Sequence, residues 1–290
     1  MQEIALRIIK IILNYFQSKR EIDEEFFNQV ADVIVNGRSL NNEVRDILIE
    51  NKPYTEVDTD IAYYDHFKKI IAINNSALAY STNVMKKING IDLEDDLLFT
   101  YLEATFNLIH ELEHANQERI IRSQKITDPE GIIIKTNHNN IIRMNFMLHK
   151  LKNGLLTEDE IKKITNFDLW NNLGFDIYRH FYQYSPTERF ANVHAFDLIL
   201  EIIRELPIEN NIYKTYLFRK YTHLISGYID NVTPTPYYFE QLYGKDVWRR
   251  LKYKINKQLV FNMDEKFALG LQVTEDEKEV LVRKIMKTLT

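Results

Sequence analysis

The chain contains no cysteine, which limits both its covalent chemistry and the metal sites that it can build. Without thiols there are no disulfides and no thiolate ligands, so any zinc site must use histidine and carboxylate side chains. The absence of cysteine also fits a reducing compartment, and we expect a cytoplasmic location.

Glycine and proline are scarce, with 8 and 6 residues in a chain of 290. Apolar residues instead recur at helical spacing, and Thr157 with Glu160 forms a capping box that predicts a helix start. Only residues 56–74 read as strand, because the stretch contains alternating and β-branched residues. Residues 40–50 read as helix. The sequence therefore predicts an α+β fold that is mostly α, with a small antiparallel or mixed sheet.

Long apolar runs and basic blocks are also missing. No run approaches the ~20 apolar residues that a membrane-spanning helix needs, so we expect no integral membrane association. Residues 4–13 read as an amphipathic helix packed on the body, with a membrane-surface helix as the alternative. Charges of both signs are interspersed and sum to −5, so we expect no nucleic-acid partner.

The most informative stretch that is present is His110-Glu111-Leu112-Glu113-His114, which reads HExxH within an apolar, helical segment over 97–121. Two histidines four residues apart project from one helix face, so both imidazoles can reach one metal ion. Glu111 can then hold and deprotonate a metal-bound water. This combination is the signature of zinc metalloproteases.

A narrow polar stripe runs along this otherwise apolar helix, and it comprises Glu103, Asn107, His110, His114 and Gln117. A buried helix needs something for such a stripe to face, because buried polar groups are costly without partners. A cleft that holds a metal ion would serve. The alternative is a stripe that simply faces water.

A catalytic zinc ion needs a third protein ligand and one open position, and Glu188 is the best candidate for that ligand. It lies just after Ser185, which can cap a helix. Ala191 and Ala195 share its helix face and would let this helix approach the HExxH helix closely. Asn192, one turn after Glu188, could accept a hydrogen bond from a ligating histidine and fix its tautomer.

Other assignments of the third ligand stay open. Ser185 and Glu188 also form a capping box, in which the glutamate would bond only to the backbone at the helix start. The rival ligands are His194, which lies about 120° around the helix from Glu188, and His180.

The HExxH motif at 110–114, followed by Glu188-x-x-Ala191-Asn192-x-x-Ala195, resembles the gluzincin group of zinc peptidases, and most nearly the ImmA/IrrE-type peptidases. The segments at 60–65 and 69–74 are similar to the strand pair that precedes the active-site helix in that family. The resemblance covers residues 60–200 or so, and it is specific at the two helix motifs.

Two features depart from the family pattern. Glu113 stands where the family usually has a small residue. The separation between His114 and Glu188 is longer than in the compact members, which leaves room for an inserted helical hairpin. No helix-turn-helix module is recognisable, although some relatives carry one.

The resemblance implies a zincin-like architecture of two lobes in one compact unit. An N-terminal α+β lobe over 1–127 would carry the sheet and the HExxH helix, and a helical C-terminal lobe over 128–290 would supply the third ligand. A protein or peptide substrate would lie in the cleft between them. The strand at 69–74 is a plausible cleft edge, where an extended peptide could pair as an antiparallel strand.

The implied activity is that of a zinc-dependent metalloendopeptidase. Zinc (Zn²⁺) would be held by His110, His114 and Glu188, with Asn192 supporting a ligating histidine. Glu111 would act as the general base towards a metal-activated water. Zinc suits this ligand set best, although iron or manganese could also occupy it.

The sequence leaves several points open. A second group that stabilises the oxyanion is not singled out, and the conceivable donors are Tyr182, Tyr184, His180, His194 and His223. Two further classes of function compete: a non-catalytic helical interaction module with a structural or vestigial metal site, and a metal-dependent hydrolase of a non-peptide amide or ester. Abundant Ile, Asn, Lys and Tyr point to a low-GC bacterium or a phage. The oligomeric state is unknown.

Overall fold

The computed structural model describes residues 2–52, 61–89, 97–123, 153–163 and 186–207, with isolated residues between 126 and 150 and at 213 and 217. The chain divides into two compact units, residues 1–122 with 190–220 and residues 123–189 with 221–290. The first unit takes in residues 190–220, which the sequence-based division assigns to a C-terminal lobe. The division into lobes at 127/128 stays a prediction.

Two helices open the first unit, α1 (Gln2–Gln17) and α2 (Glu24–Arg38). The apolar face of α1 is buried, as expected of an amphipathic helix packed on the body of the protein. The two helices approach closely at Gly37, where an added Cβ would lie 2.8 Å from Cδ1 of Ile4. A larger residue at this position would therefore require the end of the Ile4 side chain to move.

A polar cluster, the Asp23 cluster, ties these helices together; its members are Tyr15, Arg20, Asp23, Phe26 and Tyr101. Asp23 caps α2 by accepting from Phe26 N at 2.8 Å, and it also accepts from Tyr15 Oη at 2.9 Å. Arg20 donates to the other carboxylate oxygen at 2.8 Å, and Tyr101 Oη donates to the Arg20 carbonyl. The cluster thus pairs every carboxylate oxygen of Asp23 with a donor.

The surroundings shift several pKa values in this cluster, among them those of Asp23 and Tyr15. Burial acts to raise the pKa of the Asp23 carboxyl, but the hydrogen bonds from Phe26, Tyr15 and Arg20 lower it below its ordinary value. Burial, together with the hydrogen bond to Asp23, raises the pKa of Tyr15 to about 12.

A three-stranded mixed sheet follows, with strands β1 (Asp46–Glu50), β2 (Ala62–Asp65) and β3 (Ile70–Asn74) in the order β1-β3-β2. The central strand β3 runs parallel to β1, with Asp46 opposite Ile70, and antiparallel to β2, with Ala62 opposite Ile73. The fold is α+β and mostly α in the part of the chain that the structure describes.

The sheet corrects two predictions. The helix expected over 40–50 is wrong, because residues 46–50 form β1; Ile47 points into the core while its neighbours are exposed, which is the period of a strand. The expected peptide platform at 69–74 is also wrong, because β3 is paired on both sides and offers no open edge. Of the predicted strand at 56–74, residues 56–60 lie outside the described residues.

Two helices follow the sheet along the chain, α3 (Asn75–Asn89) and α4 (Leu97–Arg122). The HExxH segment lies on α4, the helix predicted over 97–121, and most of its side chains are buried. In the second unit, α5 (Glu158–Lys163) starts with the predicted capping box: Glu160 N donates to Thr157 Oγ1 at 3.2 Å, and Thr157 N donates back to Glu160 at 3.0 Å.

The last described helix, α6 (Pro186–Glu205), carries Glu188 in its first turn. The division between the units falls inside this helix, after Arg189. Among the described residues, no helix has the length and apolar character that a bilayer crossing requires.

Candidate metal centre

His110 and His114 face one another across one turn of α4. Their Nε2 atoms are 3.1 Å apart, and the two rings stand nearly perpendicular at 82°. Two nitrogens bound to one tetrahedral zinc ion at ~2.05 Å would be separated by about 3.3 Å. The backbone of α4 therefore already holds the imidazole pair at close to the spacing of a shared ion.

Gln117 fixes the orientation of His114. Its Oε1 lies 3.0 Å from Nδ1 of His114, and it is almost fully buried. Because an amide oxygen can only accept, Nδ1 carries the proton and Nε2 presents its lone pair towards His110. The sequence placed Gln117 on the polar stripe without giving it a role; its spacing of three residues from His114 was the available signal.

Glu188 meets the histidine pair. One ligand atom from each of His110, His114 and Glu188 lies within 4.8 Å of the others, and all three side chains are half-buried. Two imidazole nitrogens and a carboxylate oxygen form a donor set that suits zinc, and partial exposure leaves room for solvent or substrate. These three residues thus fit a divalent cation. Among the described residues, they are the group whose ligand atoms lie close enough together to share one.

The other predicted site residues lie on the same two helices. Glu111 directly follows His110 and is 7% exposed, so little bulk water reaches its carboxylate. Asn192 lies one turn after Glu188 and is 9% exposed. Their roles as general base and as supporting residue stay predictions.

The rival ligand His194 makes a different contact. Its Nδ1 lies 3.1 Å from Oε2 of Glu113, and it does not belong to the group formed by His110, His114 and Glu188. The remaining candidates fall outside the described residues: His180, Tyr182, Tyr184, Ser185 and His223.

Glu113 joins three helices, and we call Arg38, Glu113 and His194 the Glu113 junction. The Glu113 side chain is 1% exposed. Arg38 of α2 pairs with its Oε1, and His194 of α6 pairs with its Oε2. Burial lowers the pKa of the Arg38 guanidinium. In the sequence Glu113 stands out only as a departure from a family pattern, because a partner such as Arg38 is distant in the chain.

A cavity of about 370 Å³ adjoins the junction. It is lined by Arg38, Glu113, Asn116, Arg119, His194 and Asp197. Arg119 is exposed and donates to Asn116 Oδ1 at 2.7 Å. The junction is therefore solvated on one side, while the Glu113 carboxylate itself is covered.

Comparisons with models of known protein families, with curated proteins and with solved structures found no match. The resemblance to gluzincin peptidases therefore depends on the two helix motifs alone. What the structure adds is their placement: the HExxH pair and Glu188 converge.

Proposed function

We propose that this protein is a zinc-dependent metallopeptidase that hydrolyses peptide bonds. The observation that carries the proposal is the convergence of His110, His114 and Glu188, residues that stand far apart in the chain and lie on two different helices. Because the chain has no cysteine, this donor set also matches the ligands that a zinc site in this protein can use.

A bound zinc ion would supply a Lewis acid that activates water and stabilises developing negative charge. Glu111 takes a proton from the attacking water and passes it to the leaving amine, as general base and then general acid. Its position beside His110 brings it to the site, and its low exposure limits competition from bulk water.

The residues around the site prepare it for this reaction. Gln117 holds His114 in the tautomer that directs Nε2 towards the ion, so no proton has to move within the ring before the metal binds. Asn192, on the helix of Glu188, is proposed to support a ligating histidine. A ligand that is oriented in advance loses less conformational entropy on binding.

A zincin-like arrangement and a protein or peptide substrate belong to the same proposal. In the described sheet the outer strands are β1 and β2, so an extended substrate could add only beside one of these. The cytoplasmic location and the absence of a nucleic-acid partner stay predictions from composition.

The competing function is a non-catalytic interaction module with a structural metal site. Structural zinc sites are closed by four protein ligands, whereas three groups converge among the described residues and each of them is half-buried. This difference favours an open, catalytic site over a structural one.

A cleavage assay on a peptide library tests the proposal. We expect the purified chain to cleave peptides when loaded with zinc, to stop after removal of the metal by a chelator, and to recover when zinc is restored. Product masses separate peptide-bond hydrolysis from hydrolysis of other amides or esters. A chain that binds zinc stoichiometrically but leaves every peptide and proteome-derived substrate intact would support the interaction module instead.

A further inference from the structure

The Glu113 junction lies on the same two helices as the candidate metal centre. Glu113 immediately precedes His114 on α4, and His194 follows Glu188 by six residues on α6. Six residues of α-helix span about 9 Å, so the contact between His194 and Glu113 is made less than two turns from Glu188. The junction therefore fixes α6 against α4 close to the point where Glu188 reaches the histidines.

The burial of Glu113 is costly, which raises the question of what it does. A carboxylate that is 1% exposed loses nearly all of its hydration, and its partners must compensate for that loss. Such buried pairs add little net stability compared with apolar side chains, but their directional contacts restrict how the helices can pack. Here each carboxylate oxygen is assigned to a different helix, Oε1 to α2 through Arg38 and Oε2 to α6 through His194.

The metal centre needs such a restriction more than the rest of the unit does. His110 and His114 are spaced by the helix that carries both, whereas Glu188 depends on how α6 packs against α4. A ligand must be held within roughly 0.5 Å of its productive position. A slide or rotation of α6 would move the glutamate and leave the imidazole pair unchanged.

We propose that Glu113 is a positioning residue for the metal centre: by holding His194 and Arg38 it sets the position of α6, and thereby brings Glu188 within reach of His110 and His114. This inference rests on the proposed metal site. It assigns a role to Glu113, a residue between the two HExxH histidines that does not belong to the group of converging ligands.

A double-mutant cycle on zinc affinity tests the inference. The dissociation constant is measured by competition with a chromophoric chelator for the full-length chain, Glu113→Gln, Glu188→Ala and the double variant. We expect Glu113→Gln alone to weaken zinc binding by about 10- to 100-fold, as loss of residues that support ligands does. In the Glu188→Ala background we expect no further loss, because no carboxylate remains to be positioned.

Two controls separate positioning from general damage. Glu43→Gln removes another buried carboxylate, one that pairs with Lys69 and Arg122 away from the junction, and should leave zinc affinity within about twofold. Thermal unfolding of the metal-free variants shows whether each is folded. If Glu113→Gln does not fold, His194→Leu replaces it in the cycle, and His194→Gln, which keeps a donor for Glu113, should restore most of the affinity.

The outcomes are distinct. An equal loss of affinity in both backgrounds would mean that Glu113 acts through its charge near His114, and it would overturn the positioning role. Unchanged affinity in Glu113→Gln, with a clear loss in Glu188→Ala, would overturn the inference and leave the proposed metal site standing. Unchanged affinity in Glu188→Ala would remove the metal site itself, and the inference with it.

Discussion

The Asp23 cluster and the group formed by His110, His114 and Glu188 are two polar assemblies in one chain, and they differ in the kind of atoms that meet. At Asp23 a carboxylate accepts from a backbone amide, a phenol and a guanidinium, so acceptor meets donor at each contact. At the candidate metal centre the converging atoms are imidazole nitrogens and a carboxylate oxygen. Atoms of this second kind attract one another only through a shared proton or a cation.

Both assemblies are partly open to solvent: the Asp23 side chain is 45% exposed, and the three groups of the metal centre are half-buried. They differ in chemistry, because the first assembly pairs an acceptor with donors and contributes to the fold, whereas the second brings together groups that can ligate a metal ion. Variants that change one assembly should leave the property served by the other unchanged.

The largest effect is expected from Glu111→Gln. Loss of the general base should lower peptide hydrolysis by about 10²- to 10⁴-fold, because the amide cannot take a proton from water. Zinc content and thermal stability should stay close to those of the unmodified chain. Glu118→Gln is the matched control on the same helix; its carboxylate pairs with Arg122 at 2.8 Å, and its activity should be retained. Full activity in Glu111→Gln would rule out the assigned base.

Gln117→Leu should weaken zinc binding by about 10- to 100-fold, because His114 loses the acceptor that holds its tautomer. Gln117→Glu keeps an acceptor at the same position and should bind zinc at least as tightly as the unmodified chain. Chelator competition measures both constants. Equal affinities for the two variants would show that the contact between Gln117 and His114 does not support the metal centre.

Asp23→Ala should lower the free energy of unfolding by about 1 kcal/mol, through loss of the helix cap of α2. Asp23→Asn keeps a capping acceptor and should recover part of that loss. Zinc affinity should be the same in both variants, since the Asp23 cluster is satisfied internally. Urea unfolding of the metal-free proteins measures the stability, and a change in zinc affinity would couple two assemblies that we treat as independent.

The smallest effect is the pH dependence of the Asp23 contribution. Because the folded protein lowers the pKa of this carboxyl, folding favours its ionised form. The contribution is therefore complete above the unfolded pKa of about 3.9, and it is lost as the pH falls through the lower folded pKa. The stability difference between the unmodified chain and Asp23→Asn should stay constant above about pH 5 and shrink as the pH falls below about 4; a difference that grows there would reverse the sign.

Local signals predicted the parts of the fold that local interactions determine. The long apolar period predicted α4, the Ser185-Pro186 pair predicted a helix that starts at Pro186, and Thr157 with Glu160 marked the start of α5. The grouping of His110, His114 and Glu188 also followed from spacing and residue type. In each case the information lies within a few turns of one helix or in the chemistry of the side chains.

Features that depend on long-range pairing were mistaken or missed. Strand β1 is five residues long, and a short apolar run does not distinguish strand from helix. Whether β3 is central or at an edge depends on β1, so the error at 46–50 led to the error at 69–74. The Glu113 junction joins Arg38, Glu113 and His194, which lie at least 75 positions from one another along the chain, and only tertiary packing brings them together.

Zinc content of purified His114→Ala, measured by elemental analysis beside the unmodified chain, tests the convergence of the three ligands most directly. His66→Ala, which removes an exposed histidine that stacks on Phe67, is the control. We predict about one zinc ion per chain in the unmodified protein and in the control, and almost none in His114→Ala. Equal zinc in all three proteins would contradict the claim that these helices hold a metal ion.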